Sequence, residues 1–575
     1  MLYNNMADNL LFETSNSVEL DGEPFTRKER IYVIDQNNGS YSNNQVIIDT
    51  ASISNSGKWA DFSSATMSVP LLITMTSTFD FSGVSTDFVC GLKNSYTQMI
   101  ASMSVEYNNS AAIQITNLSN LYISYKLNTT LCVDDLVILG SQIGFAKDTS
   151  QSWKYTNSAT GSLVGMGSSN NSDLIAATNF SDSYDGVSGN LGFAKRQLET
   201  SFTAGQAGVS IILGGSWASV SSQYQRNYTI KSGGAISGYF QQAWNILATW
   251  RLKDMCDFFE KLPLVRGAYI KMYINLNQSR TKIRITKSDG FITTTRSDLT
   301  VFGGQTNPLL IASSDTNNGL NSLQAAVVAG ANATEDFTFS VSILNSLDPN
   351  CFSPYNKYGG QANCRLYCDI YTLNPQREEE YLSNNRTKVV KYRDIFQYQY
   401  LNAPPGSFNF LVTNGLSNMV EIVVMPFIAS TYNGTGNSAS SWSPIVSPFA
   451  SEPATCSPLM YIDNFNIQIS GVNAFINSKQ FGYEQFQDEL YGVGSINGGR
   501  TDGLSSGLIS QTDFLNNYGY LVANVSRRLP ENDRTPQSVQ VLGKNLTQVP
   551  IDLYVFCVFE TEMTIDLYSG KRLKN

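Results

Sequence analysis

Residues 261–277, KLPLVRGAYIKMYINLN, change their hydrophobic period at Pro263. From Ala268 the stretch alternates strictly, with Ala268, Ile270, Met272, Ile274 and Leu276 on one side and Tyr269, Lys271, Tyr273, Asn275 and Asn277 on the other. Such alternation predicts a strand with one dry face. The residues before it, QQAWNILATWRLKDMCDFFEKL at 241–262, put Trp244, Leu247, Ala248, Met255, Phe258 and Leu262 on one side at three-to-four spacing, with only Arg251 interrupting. That spacing predicts a helix, which Pro263 would end because it lacks an N–H and clashes with the preceding turn.

Strand signals recur on either side of this unit. IYVIDQNNGSYSNNQVIIDTA reads as two strands about a polar turn, and MSVPLLITM, MIASMSVEYNN, AAIQITNLSNLYISYKLN and VSIILGGSW read as further strands. Between 150 and 200 the chain becomes rich in Ser, Asn and Gly, the mark of a long surface excursion. Downstream the same order returns: strands at RLYCDIYTL and SFNFLVTNGLSNMVEIVVMPFIA, a polar region, a helix candidate SQTDFLNNYGYLVANVS at 510–526, then Pro530 and closing strands QSVQVLG, IDLYVFCVFE and MTIDLY. Strands, a helix, a proline and final strands thus occur twice, about 270 residues apart. The expected fold class is all-β: two tandem eight-stranded jelly rolls with long loops and a helix before the late strands of each. The expected division is an N-terminal arm at 1–30, a first domain at 31–347 and a second at 348–575.

Composition agrees with a folded β-rich chain. Hydrophobic residues make up 42% of the 575, with 30 Tyr and 30 Phe, so core material is ample. Charged residues reach only 15%, against roughly 25% in soluble domains; Asn, Ser and Thr, which favour turns, take their place. A net charge of −9 argues against a general nucleic-acid coat, since phosphate binding needs clustered cations. Two short basic groups occur, Arg27, Lys28 and Arg30, and Lys571, Arg572 and Lys574. They read as solvated ends, with contact to an anionic surface as the alternative. The N-terminus shows no basic segment leading into an apolar run, and no stretch approaches the ~18 apolar residues of a membrane span. The N-x-S/T triplets at Asn117, Asn128, Asn227, Asn433 and Asn545 are expected by chance in so Asn-rich a chain.

The chain contains no histidine. Ser-His-Asp and Cys-His catalysis, H-E-x-x-H zinc sites and imidazole proton shuttles are thereby removed. A literal G-x-S-x-G at 503–507 lies in a glycine-rich loop with no base to take the serine proton. Carboxylate chemistry of the glycosidase kind needs two acids across a sugar. Asp134 with Asp135, and the run Glu378, Glu379 and Glu380, are candidates, although acidic neighbours of this sort are usually a solvated surface. The eight cysteines include a C-x-x-x-C at Cys364 and Cys368 with Cys351 upstream; without a fourth ligand they read as buried free thiols rather than a metal site. The expectation is therefore no catalytic, cofactor or metal residues.

Four stretches together resemble the double jelly-roll major capsid proteins of tailless double-stranded DNA viruses, in particular those of Polinton-like viruses and virophages. They are YVIDQNNGSYSNNQVIIDTASISNSGKWADF with VPLLIT, FFEKLPLVRGAYIKMYINLN, CRLYCDIYTLNPQREEEYLS with IFQYQYLNAPPGSFNFLVTNGLSN, and VSRRLPENDRTPQSVQVLGKNLTQVPIDLYVFCVFETEMTIDLYSG. The resemblance spans most of the chain and rests on order and coverage rather than on a short signature. It implies a structural subunit, no cofactor, and homotrimeric pseudo-hexameric capsomers that tile an icosahedral shell. Neighbouring capsomers, penton and minor capsid proteins are then the partners, in a virion assembled inside the host cell rather than secreted. It further implies outward towers built from loops such as 143–200 and 430–460. The N-terminal arm would face inward, bringing Arg27, Lys28 and Arg30 toward minor proteins, an inner membrane or packaged DNA. A viral attachment or spike protein and a carboxylate-based carbohydrate-active jelly-roll enzyme are the alternative readings.

Overall fold

The computed structural model describes residues 24–78, 88–148, 240–288, 291–313, 334–343, 363–429, 460–496, 507–526 and 534–573, apart from a few single positions within them, and shorter pieces between 155 and 229 and at 445–448. Its first sandwich begins with β1 (Phe25–Ile34), β2 (Gln45–Asp49), β3 (Trp59–Ser77), β4 (Ile100–Tyr107) and β5 (Ser110–Asn117). After a long insertion come β6 (Phe240–Arg251), β7 (Val265–Arg266) and β8 (Ile270–Leu276). A second insertion carries β9 (Gln278–Ser288), β10 (Phe291–Phe302) and β11 (Thr334–Ile343), and β12 (Arg365–Leu373) follows. Pairing is antiparallel throughout: β1–β12–β3–β7 in one layer and β2–β8–β4–β5 in the other.

The second sandwich is built from β13 (Thr387–Ala403), β14 (Gly406–Leu416), β15 (Met419–Ile428), β16 (Ile462–Ile469), β17 (Val472–Asn473), β18 (Leu521–Asn524), β19 (Gln537–Asn545) and β20 (Ile551–Asp566). Its layers run β13–β20–β15–β18 and β14–β19–β16–β17. If the eight strands of each sandwich are counted from first to eighth, both give the layer orders 1-8-3-6 and 2-7-4-5. This is the jelly-roll order, twice in one chain.

The alternation at 268–277 is realised as β8, whose Ile270, Met272, Ile274 and Leu276 are buried while the residues between them are half-buried. Five other expectations change. RLYCDIYTL, expected to open the second module beyond a 347/348 boundary, is β12, the eighth strand of the first sandwich, paired with β1 in one register from Arg27 to Ile34. Residues 277–364 separate it in sequence from its own module, which is why linear order assigned it elsewhere. The pairing of β1 also means that the basic group Arg27, Lys28 and Arg30 lies in a sheet strand rather than in an arm ending at residue 30.

The helix expected at 241–262 is mostly strand. Only α3 (Leu252–Met255) and α4 (Asp257–Lys261) are helical, and Phe240–Arg251 pairs residue for residue with Thr66–Ser77 of β3. Ile246, Ala248 and Trp250 are buried and Leu247 is exposed, so the segment satisfies period two as well as the helical period. The long free edge of β3 decides between them, as tertiary pairing can override local preference. The second helix candidate is likewise shortened to α6 (Gln511–Asn516), and Leu521–Asn524 becomes the sixth strand. In both sandwiches a helix still precedes that strand. The segment read as a strand through 119–128 is instead α1 (Ser119–Thr130), entered through Leu118 at φ 55° and followed by α2 (Val133–Ile143).

β3 has 19 residues, and its two halves serve different parts of one continuous sheet. Its first part, from Trp59 to Ser68, belongs to the sandwich between β12 and β7. Its second part runs on between β6 and β11, from which β9 and β10 extend the sheet. Pro70, which has no N–H to donate, sits where β12 stops at Ser68 and β11 begins at Leu71. The two largest insertions thus share one sheet built on the overhang of β3. The layout predicts that Ile274→Ala, at a fully buried position of β8, costs about 2–5 kcal/mol. Lys271→Ala on the other face should stay within ~0.5 kcal/mol. Urea unfolding of both variants checks this.

Candidate assembly surfaces and the seam between the sandwiches

Helix α1 lies between the two sandwiches and contributes apolar side chains to a core on each side. Ile123 and Leu127 join the core of the first sandwich. Leu118, Leu121 and Tyr125 join a separate core with Val423, Met425 and Phe427 of β15, Tyr554 and Phe556 of β20, and Tyr518 and Tyr520 ahead of β18. Between these apolar contacts the buried Asn120, Ser124 and Asn128 side chains complete the packed surface of the helix. The cover it gives explains why every residue of β15 is buried, with Met419, Ile422 and Val424 in the second sandwich's own core and Val423, Met425 and Phe427 under α1. The Tyr125 hydroxyl donates to Glu421 within this layer, and burial pushes the Glu421 carboxyl above its ordinary range.

A second contact comes from the opposite direction. β13 and β20 run past their own sandwich, and Val390, Tyr392, Met563, Ile565 and Leu567 enter the core of the first. The ring of Tyr392 meets Phe258 edge-on at 5.0 Å, and its hydroxyl donates to the Ala112 carbonyl at 2.7 Å. Beyond β20 the chain turns through Gly570 at φ 66° and passes Gly267 at φ 69° so closely that a Cβ on Gly570 would lie 2.5 Å from the Ala268 nitrogen. The Arg266 N–H donates to the Leu567 carbonyl at 2.9 Å beside it. Across the far end, Lys147 pairs with Asp513 at 2.5 Å, the Leu508 N–H donates to the Asn128 carbonyl at 2.8 Å, and Tyr518 donates to the Asp148 carbonyl at 3.2 Å. The Arg196–Asp148 pair at 2.6 Å, wholly buried, anchors the same region.

The residues singled out by sequence disperse. Asp135 accepts from the Cys132 N–H at 3.1 Å as a cap of α2, while Asp134 occupies that helix's first turn. In α5 (Pro375–Asn385), Glu378 pairs with Arg266 at 2.9 Å and Glu380 with Arg377 at 3.2 Å. Gly507 backs onto the Asn128 and Thr129 carbonyls, and 503–506 lie outside the described residues. Among the described residues no group of three or more Cys, Asp and Glu could hold a metal ion. Cys90, Cys256, Cys364, Cys368 and Cys557 are buried free thiols, Cys132 is exposed, and Cys351 and Cys456 lie outside the described residues. Burial pushes the Cys256 and Cys557 thiols up to about 12.

Of the two basic groups, Lys28 and Arg30 both pair with Asp369 of β12, at 3.3 and 3.2 Å, and Arg27 pairs with Glu29 at 2.5 Å. Arg572 donates to the Ser110 hydroxyl at 2.9 Å, and Lys574 lies outside the described residues. No helix among the described residues is long and apolar enough to cross a membrane.

Apolar side chains remain on the outside in several places. Val133, Val137 and Ile138 form an exposed stripe on α2, and Val472 and Ile476 stand out at the edge of the second sandwich. Tyr461 and Leu546 are exposed side by side, joined by the Leu546 N–H to Tyr461 carbonyl bond of 2.8 Å. The outer edge of β1 pairs with no described strand. Sequence reading identified none of these surfaces, because exposure is decided by which neighbours the fold brings. Of the expected tower loops, 143–200 is described only in pieces and 430–460 almost entirely lies outside the described residues.

Comparison of the sequence with protein-family models and with curated proteins gives no match. Among solved structures, the chain is similar to that of the Sputnik virophage determined by cryo-EM, with TM-score 0.49 and 10% identity over 97% of this chain and 89% of that one. It is also similar to the mavirus major capsid protein, at TM-score 0.39 and 12% identity over 100% and 95% of the two chains. The Faustovirus major capsid protein gives TM-score 0.39 and 9% identity over 97% of each.

The seam geometry makes two predictions. Gly570→Ala, strained in φ and in contact, should lower unfolding stability by more than ~1 kcal/mol. Tyr125→Phe should cost about 1–3 kcal/mol by leaving Glu421 buried without its donor, and the Tyr125→Phe/Glu421→Leu double variant should recover part of that loss. Denaturant titration of the three variants reads both.

Proposed function

We propose that this chain is a major capsid protein, the structural subunit of an icosahedral virus shell. The observation that carries the reading is the pair of sandwiches with identical strand order, locked side by side in one chain by a shared apolar seam. Such a body has the form of a double tile, and its chemistry-bearing candidates sit apart from one another in structural roles. The four sequence stretches that resemble double jelly-roll capsid proteins support the same reading, since they fall mainly on the strands of both sandwiches.

Three copies arranged about one axis would place six sandwiches in a ring, a pseudo-hexagonal capsomer with closed symmetry of the kind most oligomers adopt. The exposed apolar groups on α2 and on the second sandwich are the first surfaces to assign to contacts within or between such capsomers. The sheet built on the overhang of β3 would then stand as the outward projection. The basic residues Arg27, Lys28 and Arg30 are engaged within a strand pair, so contact with an inner membrane or DNA would fall to residues ahead of Phe25. Neighbouring capsomers, penton and minor capsid proteins remain the proposed partners, and the virion the proposed location.

The purified chain should behave as a trimer of three times 63.2 kDa, about 190 kDa, by light scattering under mild conditions. Electron microscopy should show six-lobed tiles. A monomer that forms no higher species at any concentration would overturn the capsomer reading. Glycan turnover abolished by mutating one buried acid would replace it with the enzyme reading.

A further inference from the structure

The outer edge of β1 has a definite phase. The Asp35 N–H donates to the Cys364 carbonyl at 3.1 Å, one step beyond the unbroken pairing of Arg27–Ile34 with Arg365–Thr372. Backbone groups alternate between the two sides of an antiparallel strand. Arg27, Glu29, Ile31 and Val33 therefore point theirs at β12, and Lys28, Arg30, Tyr32 and Ile34 point theirs outward. At the near end the Pro24 carbonyl accepts from the Asn374 N–H at 3.0 Å, so Phe25 also points outward, and the register shift between Phe25 and Arg27 restores the phase beyond it. No described strand takes these outward groups, and the side chains of Tyr32 and Ile34 are half-exposed along the same edge.

Residues 1–23 lie outside the described residues and lead directly into this strand. Their sequence holds Asp8, Glu13, Glu19, Asp21 and Glu23 with no Lys or Arg. β1 carries the opposite sign, a net +2 from Arg27, Lys28 and Arg30 less Glu29. Between LLFETSNSVEL at 10–20 and the start of β1 stands Asp21-Gly22, a dipeptide suited to a two-residue hairpin turn. We propose that residues 10–20 fold back through that turn onto their own β1 as a further antiparallel strand, which closes the open edge of the first sandwich.

The phase of β1 supports this occupant. A two-residue turn sets Leu20 against Glu23 and Val18 against Phe25 as hydrogen-bonded pairs, and Phe25 is a residue whose backbone faces outward. Past the extra residue at Thr26 the partners become Asn16 with Lys28, Thr14 with Arg30, Phe12 with Tyr32 and Leu10 with Ile34. Phe12 and Leu10 thus come to lie over the two apolar side chains that β1 leaves exposed, and the arm reaches the end of the strand at Leu10. A slip of one residue would turn these apolar groups to the other face. The same residues were the remaining candidates for contact with an inner membrane or DNA; with five acids and no base they suit a basic strand rather than phosphate. Closing the edge also removes a template for edge-to-edge association. This inference does not depend on the capsid reading.

The test is a cysteine pair in the full chain, Phe12→Cys/Tyr32→Cys, under mild oxidation. Hydrogen-bonded antiparallel partners lie about 5.5 Å apart at Cα, inside the range of roughly 4.4–6.8 Å that a disulfide spans. Peptide mapping should find a 12–32 bridge within one chain, whereas Phe12→Cys/Tyr461→Cys, directed at the exposed Tyr461 of the second sandwich, should give none. Hydrogen exchange on the unmodified chain should show slow amides at Lys28, Arg30, Tyr32 and Ile34. Gly22→Val, which bars the positive φ of the turn, should remove their protection and leave Glu29, Ile31 and Val33, bonded to β12, unchanged. No 12–32 bridge, a bridge formed only between chains, fast edge amides in the unmodified chain, or edge protection that survives Gly22→Val each overturn the proposal. If Gly22→Val does not fold, the cysteine pair and the unmodified chain decide the matter.

Discussion

The structure depends on helix α1 being buried on two sides at once. Its Ile123 and Leu127 close the first sandwich, and its Leu121 and Tyr125 cover the outer face of β15 and β20 in the second. An exposed sheet face would ordinarily alternate polar with apolar residues, whereas one covered on both sides reads as a continuous apolar run. MVEIVVMPFI is such a run, broken only by Glu421, which is the residue that meets Tyr125. The overhanging β13–β20 ribbon completes the arrangement by entering the first core. The first sandwich therefore takes part of its interior from the second, while the second, whose inner core is its own, takes the cover of its outer face from α1.

Around that seam the fold keeps its repeated topology and absorbs its differences in insertions. The second sandwich is compact in sequence, whereas the first is interrupted twice, between its fifth and sixth and between its seventh and eighth strands. Both interruptions return to the same 19-residue strand, whose far half acts as the foundation for their sheet. A single long apolar strand thus reconciles a conserved order of pairing with some two hundred residues of added chain, because added loop length costs entropy only slowly.

What could be read beforehand follows the same physics. The strand at 268–277 was legible because one face packs on its own layer's core and the other stays half-wet, which leaves a period of two in the residues. The segment 241–251 was not, since Ile246, Ala248 and Trp250 with Leu247 fit both periods and only the free edge of β3 chooses. Residues 119–130 misled in the opposite sense, because LYISYKL alternates as a strand does while serving a helix that feeds two cores. Arg365–Leu373 was recognised as a strand but not as the partner of Phe25–Ile34, for nothing local marks a pairing across so long an insertion. The absence of histidine was visible at once. The seam acids were hidden, since Glu421 meets its donor 296 residues away in the chain.

The placement of β12 beside β1 bears on the way the polypeptide leaves the ribosome. Thr26 bonds to Thr372, 346 residues further on, so the first sandwich lacks its eighth strand until nearly two thirds of the protein has been made. At roughly 5–20 residues per second, β1 and the inner edge of β3 wait on the order of 20–70 s for their common neighbour. During that interval a nascent chain presents adhesive edges to other nascent chains. Synthesis on crowded polysomes would therefore favour a holding chaperone, or partial closure by the earlier strands, before the molecule is complete.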